Sequence, residues 1–237
     1  MKNTFIPAAI LAFAAFLTSC DEGGRCLKGE GDTETRTLDI SRFEGVRVSG
    51  STRVFITRGD RQGVEVKGQP NILDEMETAV EDGVWEIAFN RCLRDYETVA
   101  VYITVPALTS ASVGGSGYVE LEDEFTSDAF DASVSGSGDL KLRLDTDRLT
   151  SRISGSGTIH TAGEAERHSI SISGSGNNNS FDLRAMETEV DISGSGQAEV
   201  AVRNSLDVEI SGSGRVYHKG NPRVKADVSG SGKVISK

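Results

Sequence analysis

The feature that most constrains this fold is a short motif, Ser-Gly-Ser-Gly, that recurs through the second half of the chain. A variant that begins with glycine, Gly114-Gly115-Ser116-Gly117, precedes the regular copies. Successive motifs lie about 18 to 21 residues apart. A repeat this short cannot bury its own apolar side chains, so each copy must stack on its neighbours. The regular copies begin at Ser135, Ser154, Ser173, Ser193, Ser211 and Ser229.

Apolar and polar residues alternate on both sides of the motif. Leu206, Val208 and Ile210, for example, precede the copy at Ser211 with one polar residue between neighbours. A period of two is typical of half-buried β-strands, whereas a flexible linker would have polar flanks without a period. The repeat therefore predicts an all-β fold, a β-solenoid with about 18 to 21 residues in each coil.

The glycines of the motif are predicted to form corners between strands, because glycine accepts a positive φ and leaves room where backbones crowd. The serines would then point outward, although a reversed pleat that turns them inward stays open. The predicted structural turn glycines are Gly136, Gly138, Gly155, Gly157, Gly174, Gly176, Gly194, Gly196, Gly212, Gly214, Gly230 and Gly232.

The region from residue 39 to residue 106 alternates in the same way but lacks the motif, apart from a partial copy at 48–52. It also holds Trp85, Phe89 and Tyr102. We expect either the opening coils of the same solenoid or a β-rich N-terminal cap, since an open end would expose unpaired backbone. Residues 71–83 are compatible with a helical turn or a bent strand.

The first residues are typical of an export signal. Residues 5–17 form an apolar run that is too short to span a bilayer but suits a secretory signal peptide. Leu17-Thr18-Ser19-Cys20 resembles the bacterial lipobox, in which the cysteine is lipidated. An ordinary signal peptide with a chance cysteine is the alternative. We predict a lipoprotein signal peptide at 1–19, a lipid-anchored linker at 20–37 and a folded domain at 38–237, attached to the bacterial cell envelope on its periplasmic or outer-surface face.

The cysteine count and the net charge limit which disulfides, cofactors and partners are expected. With Cys20 lipidated, Cys26 and Cys92 remain, which favours one disulfide in an oxidising compartment over two free thiols. Two cysteines and three scattered histidines have no metal-ligand spacing, so neither a metal nor another cofactor is expected. The 36 acidic and 25 basic residues give a net charge of −11, which argues against nucleic acid as a partner.

The order of these pieces resembles a known bacterial family. The alternating segment at 43–89, the strand at 99–106 and the repeated Ile-Ser-Gly-Ser-Gly are similar to the auto-transporter adhesin, head GIN domain family. The resemblance covers about residues 38–235 and implies an exported, often lipidated protein with a right-handed parallel β-helix. It implies no catalytic or binding residues. Gly114, where the motif has serine, and the Cys26/Cys92 pair depart from the family pattern.

The remaining question is whether such a solenoid binds or catalyses. Asp145 and Asp147 are the best candidate acid pair, but a solvated turn explains them as well. Residues 176–182, rich in asparagine, are expected to form a polar turn or a projecting contact loop. We predict a non-catalytic adhesion or interaction module whose partner is a cell-surface polymer or an envelope protein. The alternative is a polysaccharide-cleaving, carbohydrate-active enzyme.

Overall fold

The computed structural model describes residues 26–237, and β-strands dominate this range. Cys20 and the predicted signal peptide lie outside the described residues. The one helix in the described range is α1 (Pro70–Leu73). The strands are β1 (Leu27–Lys28), β2 (Glu34–Leu38), β3 (Gly45–Gly50), β4 (Arg53–Arg58), β5 (Gly63–Gly68), β6 (Val80–Glu81), β7 (Val84–Ile87), β8 (Leu93–Arg94), β9 (Ala100–Val105), β10 (Ser110–Gly115), β11 (Tyr118–Leu121), β12 (Phe125–Gly136), β13 (Asp139–Gly155), β14 (Thr158–Gly174), β15 (Asn177–Gly194), β16 (Gln197–Gly212), β17 (Arg215–Lys219), β18 (Arg223–Gly230) and β19 (Lys233–Ser236).

The body of the molecule is a parallel β-solenoid, which confirms the predicted all-β fold. Each long strand runs from one Ser-Gly-Ser-Gly motif to the next and pairs in parallel with the coil before it and the coil after it. The pairing keeps the motifs in register, at the predicted repeat of about 18 to 21 residues. The glycines paired from coil to coil are Gly115, Gly136, Gly155, Gly174, Gly194, Gly212 and Gly230.

Columns of aliphatic side chains fill the interior. Ile153, Ile172, Ile192 and Ile210 occupy equivalent positions in successive coils, and each is at most 2% exposed. Strands are longer than the short ones expected, up to 18 residues in β15, because the backbone keeps pairing as the chain turns a second corner. At that corner two exposed residues stand side by side, as in β13, where the alternation slips by one position.

The motif forms the sharp corner between strands. Gly155 has a φ of +124°, and a Cβ at this residue would lie 2.5 Å from the carbonyl oxygen of Gly136 in the preceding coil. A Cβ at Gly157 would lie 2.4 Å from the oxygen of Gly138. The second glycine is buried and the serines on either side of Gly155 are exposed, so the serines point outward. Positive φ and close backbone approach together require glycine here.

The N-terminal region combines both expected arrangements. Strands β7 and β9 pair in parallel with β3 and β4, so they continue the solenoid. Strand β5 then pairs antiparallel with β9, and β2 pairs antiparallel with β5, which closes the end. Trp85 fills the core beneath this cap, donates from Nε1 to the oxygen of Glu77 at 3.1 Å and packs on Phe43 with ring centroids 5.7 Å apart.

A disulfide joins Cys26 and Cys92, the predicted pair, with a Cα–Cα distance of 4.6 Å. It lies beside the short parallel pairing of β1 with β8 and fixes the start of the described chain to the capped end. Segment 71–83 contains part of α1 and then β6, so the helical turn and the strand expected there both occur. Among the described residues, no helix combines the length and apolar character needed to cross a bilayer.

Candidate functional site

Each coil presents two outward faces that meet at the motif corner. The strands that end in the motif form one face, here named the serine wall, and the strands that follow it form the other, the aromatic wall. The motif serines lie along the edge of the serine wall in register from coil to coil. The aromatic wall carries Phe55, Tyr102, Tyr118, Phe181 and Tyr217.

The serine wall combines the small motif serines with charged side chains on the strands that lead into the motif. Ser135, Ser154 and Ser173 repeat at one level, so the surface offers short hydroxyls and little apolar area. In the described part of the chain, no hydrogen bond joins one motif serine to another. The side-chain contacts between coils on the serine wall include exposed ion pairs, such as Arg152 with Asp131 at 3.0 Å. In the described residues this wall carries no aromatic ring, so it lacks the ring anchors that contribute strongly to binding energy.

The aromatic wall concentrates rings near both ends of the solenoid. Phe55 stacks on Tyr102 with centroids 5.5 Å apart, and Tyr118 lies 6.1 Å from Phe55 on the other side. Tyr102 is 45% exposed. Toward the C-terminal end, the Lys219 ammonium lies 4.2 Å from the centre of the Phe181 ring, a cation–π contact. Tyrosine and phenylalanine at a surface are typical of interaction sites, because they combine apolar area with few rotatable bonds.

A shallow groove runs between Tyr118 and Phe181 across three coil spacings, about 14 Å at 4.8 Å each. Lys141, His160 and Asn179 occupy one outward column along its floor. These side chains offer positive charge and hydrogen-bonding groups between two rings, and three carboxylates also line the groove. The groove can therefore hold an extended, polar chain along the solenoid axis.

One end of the groove is fixed by a short hydrogen-bonded chain. Tyr118 Oη donates to Glu120 at 2.8 Å, and Lys141 Nζ donates to the same carboxylate at 2.6 Å. The bond from Lys141 is the main cause that lowers the pKa of Glu120. Burial, then the bond to Glu120, raises the pKa of Tyr118 to about 12. Glu120 thus stays charged and Tyr118 neutral at ordinary pH, which keeps this rim in one arrangement.

Sequence reasoning missed the aromatic wall because its rings are far apart along the chain. Tyr118 directly follows a motif glycine, Tyr217 is three residues past Gly214, and Phe181 is five residues past Gly176. Writing the coils beneath one another from the motif glycine would have placed these three rings on the same side. The repeat therefore contained the information that these rings share a face, but it could be seen only after the coils were aligned with one another.

The acid pair predicted from sequence lies at the second corner of the solenoid. The structure brings Asp145 and Asp147 into one groove with Glu164 and Glu166, two acids that the sequence analysis did not associate with the pair. Arg184 forms an ion pair with Glu164 at 2.6 Å. All four carboxylates are exposed, so burial does not set any one of them apart from the others. Paired catalytic carboxyl groups work because their environments differ, and burial of one of them is the usual cause.

The asparagine-rich segment was predicted wrongly. Residues 177–182 belong to strand β15, and neither a turn nor a projecting loop forms there. Asn178 points into the core, fully buried, and accepts a short hydrogen bond from Ser180. Thr161 donates to Ser180 at 2.7 Å. This buried polar cluster satisfies most of its own groups, so a polar sequence could occupy an inward column.

Histidines and acids do not assemble a metal site in the described residues. His168 is buried in the core and lies 2.9 Å from the hydroxyl of Ser151. Burial lowers the pKa of His168 to about 3, so this imidazole is neutral in the folded protein. It is a structural hydrogen-bonding group inside a coil.

A family model described as "Putative auto-transporter adhesin, head GIN domain" matches residues 42–222. The chain belongs to this family. The match runs from just before β3 to just before β18, and it confirms the resemblance drawn from the motif order. No functionally curated protein matches the chain.

Solved structures share the head GIN fold. A "putative adhesin" from Bacteroides fragilis superposes with a TM-score of 0.84 at 22% identity, covering 89% of this chain and all of that one. A "putative lipid binding protein" from Parabacteroides distasonis gives 0.76 at 24% identity, covering 90% of this chain and all of that one. A "putative adhesin" from Parabacteroides merdae gives 0.72 at 23% identity, covering 89% and 98%. At these identities the likeness shows the fold.

Proposed function

We propose that this head GIN protein is an exported, lipid-anchored, non-catalytic adhesion module of the bacterial cell envelope. Its aromatic wall would contact an extended polar polymer, such as a cell-surface glycan. The family description supports an adhesive role. One structural observation carries the proposal: two half-buried rings, Tyr118 and Phe181, bound a groove that is lined by cationic, carboxylate and amide side chains.

The contrast between the two walls supports this assignment. Binding energy in interfaces comes mainly from a few aromatic and basic anchors surrounded by neutral contacts. The aromatic wall holds rings together with basic side chains, whereas the serine wall holds short hydroxyls and charged side chains without rings. A regular spacing of about 4.8 Å between coils also suits a repeating polymer, because equivalent groups recur along the axis.

The proposed anchor orients the molecule. Cys20 lies six residues before Cys26, and the Cys26–Cys92 disulfide holds that point at the capped end. Six residues span at most about 20 Å. The capped end would therefore face the membrane, and the solenoid would project the aromatic wall away from it. Replacement of Cys20 by Ser should abolish acyl labelling and release the protein from membranes; unchanged membrane attachment would contradict the anchor.

The binding face is tested by matched substitutions on the two walls. Tyr102→Ala combined with Phe181→Ala removes rings from the aromatic wall, and Ser154→Ala combined with Ser173→Ala changes the serine wall. We expect binding to bacterial surface glycans, measured on an array, to fall at least about tenfold in the first variant, as for loss of aromatic anchors. The serine variant should bind like the unmodified protein. Equal binding by both variants would refute this face.

A second function, polysaccharide cleavage, has one observation in its favour. Asp145, Asp147, Glu164 and Glu166 line one groove at the second corner. Carboxylates on a β-helix surface are the groups that glycoside cleavage requires, so this groove is where such activity would lie.

A further inference from the structure

The last coil of the solenoid has an unpaired edge. Strand β18 pairs with β16 on one side, and within residues 26–237 no strand pairs with its other side. All eight residues of β18 are exposed. Val224 and Val228 are 41% and 38% exposed, whereas Leu206 and Ile210, their partners in the preceding coil, are each 1% exposed.

An edge of this kind invites strand addition. Natural edge strands are usually short, charged or covered, because a free row of backbone groups templates further pairing. The capped end follows this rule, since its outer strand β2 has five residues and carries the Arg36–Glu34 ion pair. Strand β18 is longer, and its charged residues alternate with an apolar residue at every second position. It is therefore the best template for pairing in the described part of the chain.

We propose that β18 pairs antiparallel with β18 of a second copy of this chain, about a two-fold axis at Ala226. The sequence of the strand is self-complementary in that register. Lys225 of one copy lies opposite Asp227 of the other, and Val224 lies opposite Val228. The two-fold axis generates each pair twice, and opposite charges and β-branched residues are favourable cross-strand neighbours.

The contacts within one copy favour the same register. Asp227 lies beside Glu209 of the preceding coil in the parallel pairing, so two carboxylates are neighbours on one face. A lysine from the second copy would compensate that like-charge pair. Lys225 contacts Asp207 at 3.2 Å in its own chain and would lie between two carboxylates in the dimer. Pairing would also cover Val224 and Val228 and join the two cores.

The β18–β18 contact limits the assembly to two copies. A two-fold interface uses the same surface of both copies, and the capped end offers no second edge of the same kind, so the product is a dimer rather than a filament. The pairing does not depend on the proposed function. With anchors at both capped ends, as proposed above, it would connect two membrane surfaces.

Cysteine cross-linking tests the register in the full chain. In antiparallel strands, residues directly opposite have Cβ atoms about 4.5 to 5.5 Å apart, close enough for a disulfide after small adjustment. Ala226→Cys places two thiols opposite each other at the axis. Arg223→Cys is the matched control, since two copies of residue 223 would lie six residues apart, about 20 Å. The unmodified chain reports any cross-linking through its native cysteines.

We expect mild oxidation to give at least about five times more covalent dimer with Ala226→Cys than with Arg223→Cys. Adding Asp227→Lys to Ala226→Cys should lower that yield, because lysine then faces lysine, and adding Lys225→Asp as well should restore it. Equal yields from the two cysteine positions would overturn the proposal. An unaffected yield with Asp227→Lys, or no recovery with the double change, would overturn it too. The cross-linking yield does not depend on glycan binding by the aromatic wall. The proposed β18 pairing and the proposed adhesive function can therefore be refuted independently of each other.

Discussion

The two ends of the solenoid have terminal coils of similar sequence pattern but very different burial. At the N-terminal end, β5 and β2 fold back antiparallel over the parallel coils, and a disulfide ties the first described residue, Cys26, to Cys92 beside β8. At the C-terminal end, β18 repeats the alternation of the coil before it with nothing against its outer edge in the described chain. Trp85 is fully buried, while Val228 is 38% exposed.

This difference shows that an inward-facing position is buried only when the next coil or a cap is present. Val208 and Ala226 occupy equivalent positions, yet Val208 is 1% exposed and the whole of β18 is exposed. Each repeat gains stability from its neighbours, so a terminal repeat without a cap opens most easily. We therefore expect the capped end and body to unfold last and β18 to exchange its amide hydrogens first.

Glycine replacement should have the largest effect on the free energy of unfolding. The expected loss differs between a corner in the body of the solenoid and the corner of the first coil. Gly155→Val would push a side chain into the backbone of the preceding coil at a φ of +124°, and we expect a loss of about 4 kcal/mol or more in the free energy of unfolding. Gly50 also has positive φ, +101°, but a Cβ there meets nothing within 4 Å.

Gly50→Val should therefore cost only the backbone strain, about 1 to 2 kcal/mol. Urea unfolding of both variants measures the difference. Asp207→Val, on the exposed serine wall, is a further control with an expected change below about 0.5 kcal/mol. Similar losses at Gly155 and Gly50 would show that stacking is not what selects glycine at the corner.

Truncation of inward-facing side chains should cost different amounts of unfolding free energy at the two ends of the solenoid. Trp85→Ala removes a fully buried ring under the cap and should cost about 3 to 5 kcal/mol. Val228→Ala removes two half-exposed methyl groups from β18 and should cost less than about 0.5 kcal/mol in the monomer. Thermal unfolding at low protein concentration provides the comparison. A large loss from Val228→Ala in the monomer would mean that the C-terminal coil is held as firmly as the cap.

Acid should weaken the body through His168. Its pKa is about 3 in the folded protein and 6.5 when exposed, so the unfolded state binds the proton more readily between these values. The contribution of neutral His168 to the free energy of unfolding is therefore fully present above about pH 6.5. It is lost as the pH decreases, by up to about 1.4 kcal/mol for each pH unit. At pH 5 we expect a loss of about 2 kcal/mol from this residue.

The matched control for His168 is the double change His168→Leu with Ser151→Ala, which removes the proton site and its hydrogen-bond partner together. The acid-induced loss between pH 6.5 and 5 should become much smaller in this variant. Hydrogen exchange at pH 5 should rise in the coils around His168 before it rises in the cap. An identical pH profile in both proteins would show that carboxylates, not His168, set the acid sensitivity.

The smallest expected effect concerns the acidic groove. Asp145→Ala with Asp147→Ala changes exposed side chains and should leave the unfolding free energy within about 0.5 kcal/mol. It should also leave glycan binding unchanged. We expect the unmodified protein to release no reducing sugar from common polysaccharides or peptidoglycan. Sugar release that disappears in the double variant would establish the enzyme instead of the adhesion module.

Much of the fold followed from one repeated pattern. Alternation around Ser211 predicted strands, and the motif spacing predicted coils and their corners, because each rule depends on neighbours a few residues apart. The paired Cys26 and Cys92 followed from an even count. The segment at 176–182 was misjudged because polarity was taken as exposure, whereas Asn178 occupies an inward column and is hydrogen-bonded by Ser180.

The sequence alone determined the strand period, the coil length and the glycine corners of the repeated motif. Tertiary structure decided what those coils bring together: the rings of Tyr118 and Phe181 on one groove, four carboxylates at one corner, and an edge at β18. The physical reason is the register. Residues about 20 positions apart become neighbours at about 4.8 Å only when coils stack, and a shift of one residue would turn every side chain to the opposite face.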